Sequence, residues 1–286
     1  MGELGTRVVV ALLGAPVVVG VLWWGGAPLA AVLGLFAALG AREYSRLAAV
    51  GGARPFARLA TVAAAAVPLA VHGQAVGALR IAPTVWPLVP LAVLALAIWR
   101  RPAASRPLEA SAVTVMAVLY TAVPLGVLYL LRLHPYAVGP TAGFAVALFP
   151  LLLTWASDIG GYVAGRTIGG RKLIPSVSPG KTVAGALGGV ALTVGAAVLL
   201  ERWLLVPYAQ LGLSPLGRVV VGVTVSAAAQ VGDLAESLVK REAGVKDSGT
   251  FFPGHGGVLD RLDSLLFVVP VTMVLYDLFL LPAIGG

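Results

Sequence analysis

The chain has 286 residues, of which 59% are hydrophobic and only 11% are charged, and its mean hydropathy is +0.95. Soluble globular domains carry roughly 25% charged residues, so this composition excludes a water-soluble fold and predicts an all-α, polytopic membrane protein. The net charge is +8, but the basic residues are scattered among the segments between apolar stretches. This pattern favours contact with anionic membrane lipids over nucleic acid. The lack of cysteine excludes disulfides and thiolate metal sites.

Stretches of roughly 17–25 mainly apolar residues are long enough to span a bilayer. The chain has about nine predicted spans, at residues 8–24, 27–39, 59–72, 81–99, 112–131, 138–156, 183–200, 219–238 and 265–283. The second and third are short, so the pattern is compatible with eight to ten spans. The first stretch is too long for a signal peptide and ends in the interfacial pair Trp23 and Trp24, which predicts a retained span.

The basic residues predict how these spans are oriented. With nine spans and a cytoplasmic N-terminus, sixteen lysines and arginines fall on the cytoplasmic side and four on the other. Such an asymmetry follows the positive-inside rule. We therefore expect two polar segments, residues 166–181 and 230–264, to face the cytoplasm.

The first polar region follows the sixth predicted span. Asp158 lies directly after that span, where a carboxylate near hydrocarbon requires a cation or a basic partner. A glycine-rich loop then leads into the next predicted helix, and this setting suits phosphate, with Ser178, Lys181 and Thr182 as candidate ligands. The spacing is not that of a P-loop. An ordinary basic loop that obeys the positive-inside rule is an equally good interpretation.

The second polar segment, residues 230–264, is called the polar island. It holds six of the twelve acidic residues, and two pairs have the three-residue spacing that places both members on one helix face: Asp233 with Glu236, and Asp260 with Asp263. Gathered carboxylates repel each other unless a cation lies among them, and Mg²⁺ prefers hard oxygen ligands. Solvation of a helix end and favourable charge at a helix N-terminus explain each pair singly. The four together favour a site for metal and phosphate.

A glycine-rich loop lies between the two pairs. Pro253, Gly254, Gly256 and Gly257 allow this loop to wrap closely around a ligand. His255 within it is a candidate phosphate donor, general base or metal ligand. A single histidine among glycines is more often structural or a hydrogen-bond donor, so we expect it to orient a phosphate.

A dense pattern of polar and glycine positions runs without a gap from Ser237 to Asp263. Its defining residues are Ser237, Lys240, Arg241, Lys246, Asp247, Gly249, Phe252, Pro253, His255, Gly256, Gly257, Asp260, Arg261 and Asp263. This run resembles the signature of the phosphatidate cytidylyltransferases, or CDP-diacylglycerol synthases. The upstream segments SDIGGYVAGR and SPGKTVAGALGG resemble two other blocks of that family. Gly180 and Ala184 stand where the family usually has lysine and glutamate.

The resemblance implies that CTP and phosphatidic acid give CDP-diacylglycerol and pyrophosphate, at the cytoplasmic face of a bacterial inner membrane. It also implies Mg²⁺, with a monovalent ion such as K⁺ as a second cation, and we expect a homodimer. The implied catalytic residues are Asp247, Lys246, Asp260 and His255. The implied substrate-binding residues are Lys240, Arg241, Arg261, Ser178, Lys181 and Thr182. The implied metal ligands are Asp233, Asp247 and Asp260, with Asp263 and Asp158 in reserve.

The resemblance covers the chain from residue 154 onward. We therefore expect residues 1–140 to form scaffold helices and residues 141–286 to form the catalytic region. Two rival functions stay open: a CTP-dependent lipid or polyprenol kinase, which transfers the γ-phosphoryl group, and a transporter. A transporter would spread charged residues through several span centres, whereas here they gather at one membrane face. A CDP-alcohol phosphotransferase is excluded because its DGxxAR and GxxxDxxxD motifs are absent.

Overall fold

The computed structural model describes residues 14, 16–252 and 256–283, and this part of the chain is predominantly helical. Its helices are α1 (Gly26–Val50), α2 (Ala57–Ala75), α3 (Leu88–Arg100), α4 (Pro107–Leu131), α5 (Pro140–Thr167), α6 (Val183–Leu200), α7 (Val206–Ala209), α8 (Pro215–Glu242) and α9 (Leu259–Phe279). Residues 16–24 are helical as well. Short 3₁₀ turns occupy Pro83–Val85 and Ala103–Ser105, and a π-helical turn at Glu201–Leu205 joins α6 to α7.

Two small antiparallel sheets accompany the helices. β1 (Lys172–Ile174) pairs with β2 (Ser178–Thr182), and β3 (Leu211–Leu213) pairs with β4 (Leu280–Pro282). The sequence does not predict these sheets, because strands of three to five residues leave almost no trace in a hydropathy pattern. The prediction of a helical membrane fold is otherwise confirmed.

Seven helices of the described part are long and apolar enough to cross a membrane: Gly26–Val50, Pro83–Arg100, Pro107–Leu131, Pro140–Thr167, Val183–Ala209, Pro215–Glu242 and Leu259–Phe279. Large apolar side chains such as Trp99 and Trp203 are 78% and 70% exposed, as expected where lipid covers the surface. The chain is therefore a membrane protein.

The count of seven differs from the nine predicted spans for two reasons. The predicted span at residues 8–24 is described only in part, because residues 8–13 and 15 lie outside the described residues and the helix at 16–24 is too short to count. The predicted span at residues 59–72 forms helix α2, but this helix is not among the seven that are long and apolar enough. The cytoplasmic position of the N-terminus stays a prediction.

Helix bounds match the predicted spans best where the sequence carries a local signal. Helix α6 begins and ends at the predicted residues, and Thr182 caps it by accepting the Gly185 N–H on its Oγ1 at 3.0 Å. Helix α5, in contrast, continues from the predicted end at residue 156 to Thr167. Asp158 therefore lies within a helix rather than after one. Helix α9 begins at Leu259, before the predicted start at residue 265.

The chain forms two compact units, and each is assembled from separated segments. Among the described residues, the first unit comprises 14, 16, 26–129, 239–252 and 256–261, and the second comprises 17–25, 130–238 and 262–283. The end of α8, the start of α9 and the described residues of the loop between them belong to the first unit, so the polar island has residues in both units. The predicted division into a scaffold and a catalytic region concerns function and stays a prediction.

In the first unit, small and hydroxyl-bearing residues hold the helices together. Helix α1 approaches α2 so closely that a methyl group on Gly34 would lie 2.9 Å from the carbonyl oxygen of Ala65. Thr121 on α4 donates to the Ala37 carbonyl at 3.3 Å. Small residues and side-chain hydrogen bonds of this kind are the usual means of association between helices in lipid.

In the second unit, helices α5 and α6 pack through glycine. A methyl group on Gly160 would lie 2.5 Å from the carbonyl oxygen of Gly188, so neither position has room for a side chain. Helix α9 joins α5 through the fully buried Tyr276, whose hydroxyl donates to the Val146 carbonyl at 2.9 Å. The close α5–α6 contact fixes the walls of the cavity described next.

Candidate active site

A cavity of about 510 Å³ opens in the second unit, lined by α5, the β1–β2 hairpin, α6 and α8. Its volume lies within the range of about 300–1,000 Å³ that is common for small-molecule sites. The polar and charged side chains of its wall include Asp158, Arg166, Lys181, Thr182, Gln230 and Asp233. Two carboxylates and two cations therefore face one space, which is a composition suited to phosphates and a divalent cation.

The β1–β2 hairpin brings the basic loop to this cavity. Lys181 is the penultimate residue of β2, and Thr182 ends the strand and caps α6. Ser178, at the other end of β2, is not among the residues that line the cavity. The hairpin thus separates three predicted ligands, and only Lys181 and Thr182 reach the cavity wall.

An ion pair joins the hairpin to helix α8. The Nζ atom of Lys181 lies 2.8 Å from Oδ2 of Asp233, and the two side chains are 25% and 37% exposed. Oδ1 of Asp233 accepts a hydrogen bond from Ser237 at 3.3 Å. A pair at this exposure contributes about 0–1 kcal/mol to stability, because solvent screens it. The ion pair instead holds Lys181 and Asp233 next to each other in the cavity wall.

Arg166 is a cavity cation that the sequence did not single out. It lies on α5 one helical turn after Tyr162, and its guanidinium donates to the Tyr162 hydroxyl at 2.8 Å. Both residues line the cavity. The tyrosine therefore orients the arginine, and the spacing of four residues on a helix was the signal that could have revealed the pair.

A network of uncharged polar groups supports the same cavity. Ser157 on α5 and Ser226 on α8 share a hydrogen bond of 2.8 Å, and both hydroxyls are buried. Gln230 donates to Ser226 at 3.1 Å and to the Ala186 carbonyl on α6 at 3.2 Å. This network ties three walls of the cavity together. Polar residues inside apolar spans, with Ser226 and Gln230 four apart, were the available signal for it.

A second polar cluster lies in the first unit, around Asp260. Oδ1 of Asp260 lies 2.6 Å from Nζ of Lys240, and these two side chains are only 6% and 12% exposed. Oδ2 accepts three hydrogen bonds of 2.8 Å, from the backbone N–H and the hydroxyl of Ser248 and from the N–H of Gly257. Asp260 therefore organises the loop between α8 and α9. Both of its oxygens have protein donors.

Glu43 on α1 completes this cluster, and sequence reasoning missed it. Its carboxylate accepts the N–H groups of Val258 at 3.0 Å and Leu259 at 2.8 Å, and the hydroxyl of Ser248 at 3.0 Å. Helix α9 begins at Leu259, so Glu43 caps it from more than two hundred residues away. The only local signal was an acidic residue within the arginine-rich segment AREYSR.

The remaining predicted site residues of the polar island that the structure describes do not line the cavity that holds Asp158 and Asp233. Lys246, Asp247 and Arg261 are exposed, and so is Arg241, whose guanidinium donates to the Val245 carbonyl at 3.2 Å. Asp263 accepts the N–H of Ser264 on Oδ1 at 2.7 Å. His255 lies outside the described residues.

The four carboxylates of the two spaced pairs, Asp233 with Glu236 and Asp260 with Asp263, have different surroundings. Asp233 pairs with Lys181, Asp260 pairs with Lys240, and Glu236 is completely buried. Within residues 16–252 and 256–283, no group of three or more histidine or carboxylate side chains is arranged to hold a metal ion. The expected convergence of all four around one ion is therefore not found in that part of the chain.

A model of the cytidylyltransferase family matches residues 5–279. The chain belongs to this family. A phosphatidate cytidylyltransferase of Haemophilus influenzae is 41% identical over 150 residues, which cover 51% of this chain and 50% of the relative. A phosphatidate cytidylyltransferase of Bacillus subtilis is 41% identical over 137 residues, or 48% of this chain and 49% of the relative. An uncharacterized protein of Escherichia coli, YnbB, is 45% identical over 129 residues, or 45% and 41%.

This member of the cytidylyltransferase family thus spans about half the length of the relatives it matches. The predicted resemblance to the family is confirmed. Its second unit carries the cavity with Asp158, Lys181 and Asp233, and its first unit carries the cluster of Glu43, Lys240 and Asp260.

Proposed function

We propose that the protein transfers the cytidylyl group of CTP to phosphatidic acid, giving CDP-diacylglycerol and pyrophosphate. The observation that carries the proposal is the cavity in which Asp158, Asp233 and Lys181 face one space, in a chain that belongs to the cytidylyltransferase family. Relatives that share about 41% identity over half the chain are named phosphatidate cytidylyltransferases. A phospholipid-synthesis role follows from this product.

The chemistry requires neutralisation of charge rather than a strong base. A phosphate oxygen of phosphatidic acid attacks the α-phosphorus of CTP, the bond from that phosphorus to the bridging oxygen breaks, and pyrophosphate leaves with the electron pair. Both reactants are anionic, so catalysis consists of alignment and electrostatic stabilisation. A phosphate monoester, with a second pKa of about 6, is already ionised at neutral pH. Lys181 and Arg166 in the cavity supply positive charge for the phosphate oxygens.

The cavity residues fit a magnesium ion. Mg²⁺ in proteins is usually bound by one or two carboxylates, and its other positions are taken by water and substrate phosphates. Asp158 and Asp233 both line the cavity, so they would hold the ion, and Lys181 beside Asp233 would bind an adjoining phosphate. When bound, the ion would neutralise the charge that develops on the phosphates. A monovalent ion such as K⁺ is proposed as a second cation.

We assign Asp260 to positioning, because protein donors contact both of its oxygens. Lys240 neutralises it, and together they hold the loop of the family signature in place. The exposed residues Lys246, Asp247, Arg241 and Arg261 are proposed to contact substrate phosphates or metal. Asp263 is kept as a reserve ligand, Ser178 as a contact for CTP or the lipid headgroup, and His255 as the residue that orients a phosphate.

The proposed arrangement in the cell follows from the charge asymmetry of the sequence. Nine spans with a cytoplasmic N-terminus place sixteen basic residues inside and four outside. The site would then face the cytoplasm, where CTP is available, from a bacterial inner membrane. A homodimer is proposed as the assembled form.

The test is turnover of the purified protein with CTP, phosphatidic acid and Mg²⁺, before and after addition of EDTA. We expect Asp233→Asn and Asp158→Asn each to lower turnover by about 100-fold, the scale of losing one preorganised electrostatic contact. Asp277→Asn is the matched control, since Asp277 lies beside His134 and not in the cavity. Turnover that survives EDTA, or that falls equally in the control, would contradict the proposal.

A further inference from the structure

A second cavity, of about 850 Å³, lies in the first unit and has a different composition. It is lined by the end of α1, the loop between α1 and α2, Arg101 after α3, and residues 249–251 of the polar island. Four arginines contribute to its wall, Arg42, Arg46, Arg54 and Arg101, and we call it the arginine cavity. It shares no lining residue with the cavity that holds Asp158 and Asp233.

The positive charge of the arginine cavity is not balanced by protein carboxylates. Glu43 is the one acidic residue among its described lining residues, so the formal excess is three positive charges. The oxygens of Glu43 already accept hydrogen bonds from the Ser248 hydroxyl and from the N–H groups of Val258 and Leu259. Within the part of the chain that the structure describes, no carboxylate forms an ion pair with Arg42, Arg46 or Arg54.

The arginines come from three segments that the fold brings together. Arg42 and Arg46 are four residues apart on α1, so they lie on one face of the helix, where like charges repel. Arg101 is held in place, because it donates to the Arg54 carbonyl at 2.6 Å and its guanidinium lies 4.9 Å from the centre of the Phe56 ring. Such a convergence of cations is unfavourable unless an anion lies among them.

Two buried polar atoms of the wall point to the same conclusion. Ser45 is only 1% exposed and lines the cavity, and its hydroxyl has no hydrogen-bond partner among the described residues. The Nε atom of Arg101 is also buried and has no acceptor in that part of the chain. Buried donors without acceptors cost about 1–3 kcal/mol each, and protein structures normally satisfy them. Both residues line the cavity, so a small shift of either side chain would let an anion there accept these hydrogen bonds.

Membrane topology alone does not account for these features. The positive-inside rule requires arginines in cytoplasmic loops, but it requires neither a shared cavity nor buried donors without acceptors. Arg58, the second residue of α2, shows the difference, since it is exposed, as Arg42, Arg46 and Arg54 are, but is not among the cavity residues. Guanidinium groups bind phosphate through paired N–H donors, which makes phosphate the anion that best fits several convergent arginines.

We propose that the arginine cavity is a binding site for a phosphate group, carried either by a lipid headgroup or by a soluble phosphate. A phosphate monoester fits best, because its charge of about −1.5 to −2 matches the excess positive charge better than the single charge of a diester. This site is additional to the one proposed for cytidylyl transfer. The assignment holds whether or not that reaction is the correct one.

The test uses the purified full chain in detergent, with phosphatidic acid, phosphatidylglycerol and inorganic phosphate as separate probes, followed by native mass spectrometry for the lipids and calorimetry for phosphate. We expect the Arg42→Gln, Arg46→Gln double variant to lose about tenfold or more in affinity for phosphatidic acid. Arg58→Gln, the matched control, should bind like the wild type. If the double variant also loses affinity for inorganic phosphate, the site accepts any phosphate. If it loses affinity for phosphatidic acid alone, the site is specific for a lipid headgroup.

The proposal would be overturned if the double variant bound each probe with the same affinity as the Arg58→Gln control. A second measurement avoids variants that fail to fold. Phenylglyoxal modifies accessible arginines, and phosphatidic acid should protect Arg42, Arg46 and Arg54 of the wild-type protein from it but should leave Arg58 reactive. Equal modification of all four arginines with and without the lipid and phosphate probes would also overturn the proposal.

Discussion

The carboxylate of Glu43 gives the most specific prediction about stability. Oε1 accepts one backbone N–H, and Oε2 accepts a second N–H and the Ser248 hydroxyl, so the side chain fixes both the start of α9 and the preceding loop. In Glu43→Gln, one oxygen becomes an NH₂ donor that faces another donor. At least one hydrogen bond to a charged group is lost, and such bonds contribute about 1.5–3 kcal/mol each.

The assay is thermal unfolding in detergent, followed by tryptophan fluorescence. For a chain of this size, about 1 kcal/mol corresponds to roughly 2–4 °C in Tm, so a loss of about 1.5–3 kcal/mol in Glu43→Gln should lower Tm by roughly 3–12 °C. Glu109→Gln is the control, since Glu109 forms an i,i+3 ion pair with the 72%-exposed side chain of Arg106. Loss of this exposed pair should lower the free energy of unfolding by about 0.5 kcal/mol at most. Hydrogen exchange of residues 243–252 should become faster only in Glu43→Gln. Equal Tm values for the two variants, with unchanged exchange, would refute the reasoning.

Three further predictions concern other positions. Asp247→Asn should abolish CTP-dependent product while membrane insertion is retained, and full activity in a turnover assay would exclude a metal role for this residue. Lys240→Met should lower the free energy of unfolding by about 3–5 kcal/mol, because it leaves the buried charge of Asp260 unpaired. Adding Asp260→Asn to this variant should restore part of that stability. If the two substitutions instead destabilise additively in the same thermal assay, the pairing is contradicted. Gly232→Ala should cost about 1–3 kcal/mol, because its methyl group would lie 2.5 Å from a carbonyl oxygen of α9. Gly195→Ala, where a methyl group meets nothing within 4 Å, should be neutral or stabilising, and equal losses at the two glycines would contradict the packing.

Local sequence signals predicted the fold well where they existed. The bounds of α6 follow from an apolar run that begins after a capping threonine, and both features can be read without a structure. The end of α5 could not be read in this way. Hydropathy falls at Asp158, but the helix continues to Thr167, because backbone hydrogen bonding does not depend on the polarity of the side chains.

The candidate site was predictable in composition but not in pairing. The sequence identified Asp233, Lys181, Lys240 and Asp260 as important, and spacing suggested that the carboxylates gather around one ion. In the structure each of these carboxylates has a lysine partner of its own. Spacing along a helix indicates which residues share a face, whereas the partner across a fold depends on tertiary packing. Glu43 is the clearest example, because its hydrogen-bond partners lie 205 to 216 positions away.

The central claim, that this protein moves a cytidylyl group, is tested most directly by the fate of the CTP phosphorus atoms. The purified protein should be given phosphatidic acid, Mg²⁺ and CTP labelled at either the α- or the γ-phosphate. We predict that the α-label enters the lipid and that the γ-label is released as pyrophosphate. A γ-label in the lipid, with the α-label left in CDP, would contradict the account and identify a lipid kinase.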